Sequence, residues 1–170
     1  ANKTVSGDRV LNANEFSFVI EALTQGAPMP ANSIVKNAAN GAVVFDAIEF
    51  DTVGTYKYKI YESQENKIGG FLYDSRFYEI TVVVTDNGNA TLSAAVTRVV
   101  KENENDSGRT LADNELISFT NTYDATDAKV TISGTKILTG KTLQDNEFEF
   151  DLLPETQGAP MPSQSYANNK

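Results

Sequence analysis

Apolar and polar residues alternate along much of the chain, which is the pattern of a β-strand whose side chains point to opposite faces in turn. The segment 54–62 is rich in aromatic and β-branched residues and follows this pattern closely. One of its faces is apolar and ends in a carboxyl group: Tyr56, Tyr58, Ile60 and Glu62. We expect this face to point to the core. A carboxylate there is costly unless it is paired or protonated, and the alternative is that Glu62 only marks the end of the strand.

The same alternation predicts further strands, at 1–5, 15–22, 42–50 (one strand or two short ones), 77–85, 90–100 and 115–123. The polar or glycine-bearing stretches between them are expected to be loops, including 24–30, 63–74 and 101–113. An Asn-Gly hairpin turn at 86–89 leads into a return strand that should bury Leu92, Ala94 and Val96. No segment has a helical period. The pattern therefore predicts an all-β fold, an Ig-like antiparallel β-sandwich.

Segments from the first part of the sequence are repeated near its C-terminal end. Residues 156–162 repeat residues 24–30 letter for letter, at an offset of 156 − 24 = 132 positions. Lys136 corresponds to Lys3 at an offset of 136 − 3 = 133 positions. A period of this size is a whole domain rather than one unit of a solenoid. We therefore expect tandem repeat domains: a complete repeat at 1–124, a linker at 125–128, and the N-terminal part of a second, incomplete repeat at 129–170.

Composition narrows the range of functions. The 170-residue chain has a net charge of −9, which argues against nucleic acids and anionic membranes as partners. It has no Cys and no His, which removes disulfides, thiolate nucleophiles, Ser-His-Asp triads and the usual zinc sites. We expect no cofactor and no metal. No stretch is apolar enough to span a bilayer and no signal peptide is present, so we expect a segment of a longer protein.

Three polar residues lie on otherwise apolar strand faces: Lys3 on the first strand, Glu62 on a central strand and Asn121 on the last. Each alone has an ordinary explanation, such as a lysine that reaches water, a glutamate at a strand end or a hydrogen-bonded asparagine. An amine, a carboxyl and a carboxamide that all point to one core indicate chemistry between them.

In residue type, order and spacing, the first repeat resembles the pilin isopeptide-linkage domain of streptococcal major pilins and of Gram-positive adhesin stalks. The resemblance rests on Lys3, Asn14-Glu-Phe-Ser-Phe18, the strand at 54–62, Tyr73-Asp74 and Phe119-Thr-Asn-Thr-Tyr123. It implies an intramolecular isopeptide bond between Lys3 and Asn121, assisted by Glu62. It also implies that Lys136 is the cross-link lysine of the second repeat, whose glutamate and asparagine would lie beyond residue 170.

Burial suits these residues to that reaction. A lysine attacks only as the neutral amine, and burial lowers its pKa toward that form. Burial raises the pKa of Glu62, so the protonated carboxyl could donate to the Asn121 side-chain carbonyl and pass protons from the amine to the leaving ammonia. Folding supplies the proximity. The reaction runs once per molecule, so we expect self-modification and not an enzyme.

We therefore expect a structural stalk or pilin-like repeat of a cell-surface adhesin, extracellular and anchored to the cell wall. Its expected partners are neighbouring repeats of the same chain and, through other domains, a host surface ligand. The alternative is a ligand-binding β-sandwich that recognises a host glycan or protein, which exposure of Phe71, Tyr73 and Phe77 would support. An enzyme domain is disfavoured because no acid-base pair lies beside an evident cleft. Residues 153–157 resemble a sortase signal but lack its final glycine, and we interpret them as a strand-to-loop segment.

Overall fold

The computed structural model describes residues 1–170 and consists of β-strands and the loops between them. In chain order the strands are β1 Asn2–Ser6, β2 Ser17–Ala22, β3 Ile34–Lys36, β4 Gly54–Glu62, β5 Phe71–Leu72, β6 Phe77–Asp86, β7 Leu92–Lys101, β8 Arg109–Thr110, β9 Ser118–Tyr123, β10 Glu149–Asp151 and β11 Tyr166–Asn168. The chain divides into two compact units, Ala1–Thr126 and Asp127–Lys170. It has no helix long and apolar enough to cross a membrane.

Two sheets form the first unit. The larger sheet has six strands in the order β3-β2-β4-β6-β7-β8, and all its neighbouring strands are antiparallel. The smaller sheet has three strands in the order β1-β9-β5. The predicted all-β fold with antiparallel sheets is confirmed, with one exception: β1 and β9 run parallel. A parallel pair needs a long crossover connection, and here the rest of the unit provides it.

The core lies where aromatic side chains of the two sheets meet. Phe119 of β9 is 0% exposed, and its ring centroid lies 5.2 Å from that of Phe18 on β2 and 5.2 Å from that of Tyr78 on β6. The inward faces of β4 and β6 are the ones that the alternation predicts. Their buried residues are Tyr58, Ile60 and Glu62 on β4, and Tyr78, Ile80, Val82 and Val84 on β6.

The expected burial of β7 is wrong. Leu92 is 39% exposed and Val96 is 54% exposed, and Ala94 between them is exposed as well. These residues pair with Asp86, Val82 and Val84 of β6, so they do share the inward face of the sheet. They stay uncovered because the facing sheet consists of only three strands of two to six residues.

Several loops also differ from expectation. Residues 42–50 form no strand, and only Ala42 makes an isolated bridge, with Asn2. This segment nevertheless covers the core, because Val43 is buried and apolar side chains further along pack on the core cluster. The expected loops at 63–74 and 101–113 each contain a two-residue strand, β5 and β8, and β3 is a further strand that the sequence pattern does not predict. Such short strands carry too few residues to show an alternation.

The second unit contains one antiparallel pair, β10 with β11, whose register pairs Glu149 with Asn168. The corresponding pair in the first unit is Ser17 with Lys36, and both residues are displaced by 132 positions (149 − 17 and 168 − 36). No strand forms around Lys136, the residue that corresponds to Lys3 of β1. In the first unit the equivalent strand, β1, is held by β9, and residues 127–170 contain no counterpart of β9.

An asparagine turn also occurs in both units. The side-chain oxygen of Asn37 accepts a hydrogen bond from the backbone N–H of Phe16 at 2.8 Å, and its amide nitrogen donates to the carbonyl of Asn12 at 2.7 Å. In the second unit Asn169 makes the same two contacts, with the N–H of Phe148 at 2.8 Å and the carbonyl of Gln144 at 2.8 Å. The shared contacts mean that the two segments have the same local fold.

Gly41 is tightly packed against β1, and this predicts a specific effect of substitution. Gly41→Ala would place a Cβ 2.3 Å from the backbone oxygen of Lys3, whereas Gly26→Ala would meet nothing within 4 Å. Both glycines have positive φ, +85° and +74°, so both changes incur a similar conformational cost of about 1–2 kcal/mol. We expect Gly41→Ala to lower the free energy of unfolding by about 1–3 kcal/mol more than Gly26→Ala does, measured by denaturant titration. Equal losses would show that β1 tolerates displacement at this point.

Candidate functional site

Three strands from both sheets bring Lys3, Glu62 and Asn121 into one buried site. Lys3 lies on β1, Asn121 lies on the neighbouring β9, and Glu62 is the last residue of β4 in the facing sheet. The three residues are 1%, 2% and 0% exposed, respectively. The parallel register, in which Val5 pairs with Asn121 and Lys3 pairs with Phe119, holds the first and last strands side by side.

The carboxyl group of Glu62 connects the other two side chains. Lys3 donates from Nζ to Oε2 of Glu62 at 2.9 Å, and Asn121 donates from Nδ2 to Oε1 at 2.7 Å. No buried side-chain nitrogen or oxygen in the structure lacks a hydrogen-bond partner. The amine and the carboxamide are therefore held against the same carboxyl group.

The carbonyl oxygen of Asn121 has a different partner from the expected one. Oδ1 accepts a hydrogen bond from the backbone N–H of Asp74 at 2.8 Å. A backbone N–H can only donate, so it determines which end of the carboxamide is oxygen and which is nitrogen. We expected Glu62 to face the Asn121 carbonyl, but Glu62 faces Nδ2, the nitrogen that would leave as ammonia. In the folded chain the observed contacts therefore differ from the expected one: Glu62 contacts the nitrogen of the carboxamide, and the N–H of Asp74 contacts its oxygen.

Burial changes the proton equilibrium between Lys3 and Glu62. Loss of solvation lowers the pKa of Lys3, and this outweighs the opposing effects of the hydrogen bond and the charge of Glu62. Loss of solvation likewise raises the pKa of Glu62, against the opposing effects of Lys3 and Asn121. The ring centroid of Phe16 lies 4.7 Å from Lys3 Nζ, so part of the surroundings is apolar. Both shifts favour transfer of the proton from the ammonium to the carboxylate, which leaves a neutral amine beside a neutral acid.

Asp74 joins the loop before β6 to β9, beside the site. Its Oδ2 accepts from the backbone N–H of Thr120 at 2.8 Å and from Nη2 of Arg76 at 2.7 Å, and its Oδ1 accepts from Nε of Arg76 at 3.0 Å. Burial alone would raise the pKa of Asp74, but the hydrogen bonds from Arg76 and Thr120 prevail and lower it. The sequence shows Tyr73-Asp74 as a motif but carries no signal for this contact, which depends on residues 46 positions apart.

The other candidate residues lie away from this carboxyl group or inside the core. Phe71 and Tyr73 pack edge-on against Phe16 at 5.2 and 5.6 Å, and Phe77 is buried, so they do not form an exposed aromatic cluster. Lys136 lies in the second unit with its Nζ 4.5 Å from the centroid of the Phe148 ring, as Lys3 lies against Phe16. No group of three or more acidic side chains is arranged to hold a metal ion.

Comparison with known proteins identifies the class of domain. A family model described as Spy0128-like isopeptide containing domain (FctA) matches residues 1–124. The chain therefore belongs to this family of isopeptide-containing domains, and the resemblance found in the sequence is confirmed. The comparison with curated proteins gave no match.

Solved structures agree with this family at the level of the fold. The chain is similar to crystal structures of the major pilin from Streptococcus pyogenes and of two mutants of that pilin. The sequence identities are 19–21% and the TM-scores 0.50–0.52, and the match covers 99% of this chain and 69% of the pilin chain. At this identity the similarity shows a shared fold.

The lowered pKa of Asp74 predicts an acid-dependent part of the stability. A carboxyl whose pKa is lower in the folded state than the ordinary 3.8 stabilises the fold above pH 3.8, and this contribution is lost as pH falls through the folded pKa. Asp74→Asn removes it. We expect the difference in free energy of unfolding between the parent and Asp74→Asn to be largest near neutral pH and to shrink below pH 3.8. Denaturant titrations in a Lys3→Met background, which has no reactive amine, measure this difference; a constant difference would contradict the assignment.

Proposed function

We propose that this chain is a self-cross-linked structural repeat of an extracellular, wall-anchored, pilin-like surface protein. In the proposed repeat, an isopeptide bond joins Nζ of Lys3 to Cγ of Asn121. The observation that carries the proposal is the buried carboxyl of Glu62, which contacts the amine at 2.9 Å and the carboxamide at 2.7 Å. Membership of a family of isopeptide-containing domains supports it.

The proposed reaction balances within these three side chains. Neutral Nζ of Lys3 attacks Cγ of Asn121 and forms the new C–N bond. Glu62 takes one proton from Nζ through Oε2 and gives one proton to Nδ2 through Oε1, which matches the atoms that each oxygen contacts. The bond from Cγ to Nδ2 breaks and ammonia leaves. Glu62 ends in the protonation state in which it began, so it is a proton carrier and is not consumed.

The position of the bond supports a mechanical role. The chain enters β1 at Asn2 and leaves β9 at Tyr123, and because the strands are parallel these residues lie at opposite ends of the pair. A pulling force on the unit would therefore shear β1 along β9. A bond between Lys3 and Asn121 would carry this force directly and bypass 121 − 3 = 118 positions of folded chain. By analogy with a disulfide that closes a loop of this length, it would stabilise the unit by about 4–5 kcal/mol.

We propose further that residues 1–124 are one complete repeat, 125–128 a linker and 129–170 the opening of a second repeat. The strand register displaced by 132 positions and the matching asparagine turns support this division. Lys136, which lies against Phe148 as Lys3 lies against Phe16, is then the proposed cross-link lysine of the second repeat. Neighbouring repeats are the proposed partners of the unit.

The intact mass of the folded protein tests the cross-link. We expect the wild type to weigh less than its sequence by one ammonia, and fragmentation to join the peptides that contain Lys3 and Asn121. Glu62→Ala, Lys3→Ala and Asn121→Ala should each fold with the full sequence mass, because each lacks the proton carrier or a reactant. Lys57→Ala, a change at an exposed lysine of β4, should still lose ammonia. A folded wild type of full mass would refute the proposal.

Single-molecule stretching tests the mechanical role. Pulled between residues 1 and 124, the wild-type unit should not lengthen by the chain between Lys3 and Asn121. Asn121→Ala, which cannot form the bond, should release these 118 positions and lengthen by roughly 40 nm when it unfolds. Equal extensions of the wild type and Asn121→Ala would show that no bond between Lys3 and Asn121 carries the force.

A further inference from the structure

The reaction needs a group that the three proposed residues do not supply. When Nζ of Lys3 adds to Cγ of Asn121, the carbonyl oxygen Oδ1 gains negative charge. Both oxygens of Glu62 already contact nitrogen atoms, Oε2 that of Lys3 and Oε1 that of Asn121. A negative charge in an apolar core without a hydrogen-bond donor is costly, so the stability of this intermediate depends on what faces Oδ1.

The group that faces Oδ1 is the backbone N–H of Asp74, at 2.8 Å. We propose that this N–H is the oxyanion donor of the cross-linking reaction, and that the Asp74 carboxylate and Arg76 position it. The inference rests on the proposed function, because it assigns the oxygen side of the same reaction. In this proposal Glu62 moves protons between the two nitrogens, and the backbone N–H of Asp74 stabilises the charge on the oxygen.

A backbone N–H suits this role for two reasons. It cannot lose its proton at any pH at which the protein folds, so it donates under all conditions in which Lys3 reacts. It is also in place before the reaction, because Oδ1 already accepts its hydrogen bond in the unlinked site. A donor that needs no reorganisation stabilises a developing charge most effectively.

The side chain of Asp74 fixes the direction of this N–H. Oδ2 accepts from the backbone N–H of Thr120, the residue directly before Asn121, at 2.8 Å. Asp74 therefore holds β9 at two adjacent residues, by its own N–H at the side chain of 121 and by its carboxylate at the backbone of 120. The connection prevents the donor and the reacting carbonyl from moving apart.

Arg76 neutralises the charge of the Asp74 carboxylate. A free carboxylate near Oδ1 would oppose the developing negative charge. Arg76 binds both oxygens of Asp74 through Nε at 3.0 Å and Nη2 at 2.7 Å, so the pair has no net charge. Nη2 also donates to the carbonyl of Ser118 at 3.3 Å, which attaches the guanidinium to β9. The carboxylate can thus position the N–H without repelling the oxyanion.

Total chemical synthesis allows the N–H to be removed alone. The chain contains no Cys, so segments can be ligated at cysteines placed at alanine positions and then desulfurised to the native alanines. The product is unfolded and unlinked, and dilution from denaturant starts both folding and cross-linking. Tyrosine fluorescence follows folding, and intact mass follows the loss of ammonia. The rate of cross-linking in folded molecules can therefore be separated from the rate of folding.

The decisive variant has the α-hydroxy acid equivalent of aspartate at position 74, which replaces the backbone N–H by an ester oxygen and keeps the carboxylate. We expect its cross-linking in folded molecules to be about 100-fold slower than wild type, the usual effect of removing one oxyanion donor. The control has the α-hydroxy acid equivalent of serine at 118, whose N–H donates to the Tyr78 hydroxyl at 3.2 Å and not to Asn121. We expect the control to react within a few-fold of the wild-type rate.

The outcomes separate this inference from the proposed function. A synthetic wild type that folds and keeps its full mass would refute the cross-link itself. A wild type that reacts, together with a position-74 ester that reacts equally fast, would refute only the role of the Asp74 N–H. Equal slowing of both esters would also refute it, because the effect would then come from general weakening of the backbone.

If the variant with the ester at position 74 does not fold, the role of the Asp74 N–H can be tested in the cross-linked protein that has no ester. In the cross-linked product, the Asp74 N–H should still donate to the oxygen of the new amide. NMR should then detect a scalar coupling through the hydrogen bond between the Asp74 backbone nitrogen and the Asn121 Cγ carbon. Absence of this coupling in protein that has lost ammonia would overturn the assignment.

Discussion

The first unit depends on a carboxyl group buried in an apolar core. Glu62 lies at the end of β4, and a carboxylate left there without partners would destabilise the fold by about 3–5 kcal/mol. Lys3 and Asn121 satisfy its two oxygens, and they come from the first and last strands of the unit. The same contacts that make the burial tolerable also bring an amine and a carboxamide together. A bond between them would replace a buried amine by a neutral amide, which suits a carboxyl whose pKa burial already raises.

The parallel pairing of β1 and β9 determines what mechanical effect the proposed bond would have. It places the ends of the unit at opposite ends of two adjacent strands, so that one covalent bond could carry the load for the whole domain. Asp74 and Arg76 add a second connection at the same place, because they attach the loop before β6 to the backbone of β9. The contacts of Glu62, Asp74 and Arg76 therefore converge on a few residues of β9, where the proposed bond would form.

Much of the fold and the candidate site could be predicted from the alternation of residues. The inward faces of β4 and β6 are predicted correctly because the two-residue period belongs to each strand alone. The same period assigns Leu92 and Val96 to the inward face of β7, and that too is correct, but they remain exposed. Burial needs a covering layer, and the width of the facing sheet is a property of other segments. Residues 42–50 show that a side chain can also be buried without belonging to a strand, because Val43 is buried in a segment that forms none.

The sequence by itself determined which residue types face the core, the displacement of 132 positions between similar segments, and the three polar side chains that break the apolar pattern. Only the tertiary structure decided that β1 runs parallel to β9, that Glu62 faces the nitrogen of Asn121, and that the backbone of Asp74 faces its oxygen. The physical reason is the range of each effect. Side-chain alternation is a local property of an extended chain, whereas strand direction and hydrogen-bond partners depend on groups that are 47 to 116 positions apart and meet only in the folded state.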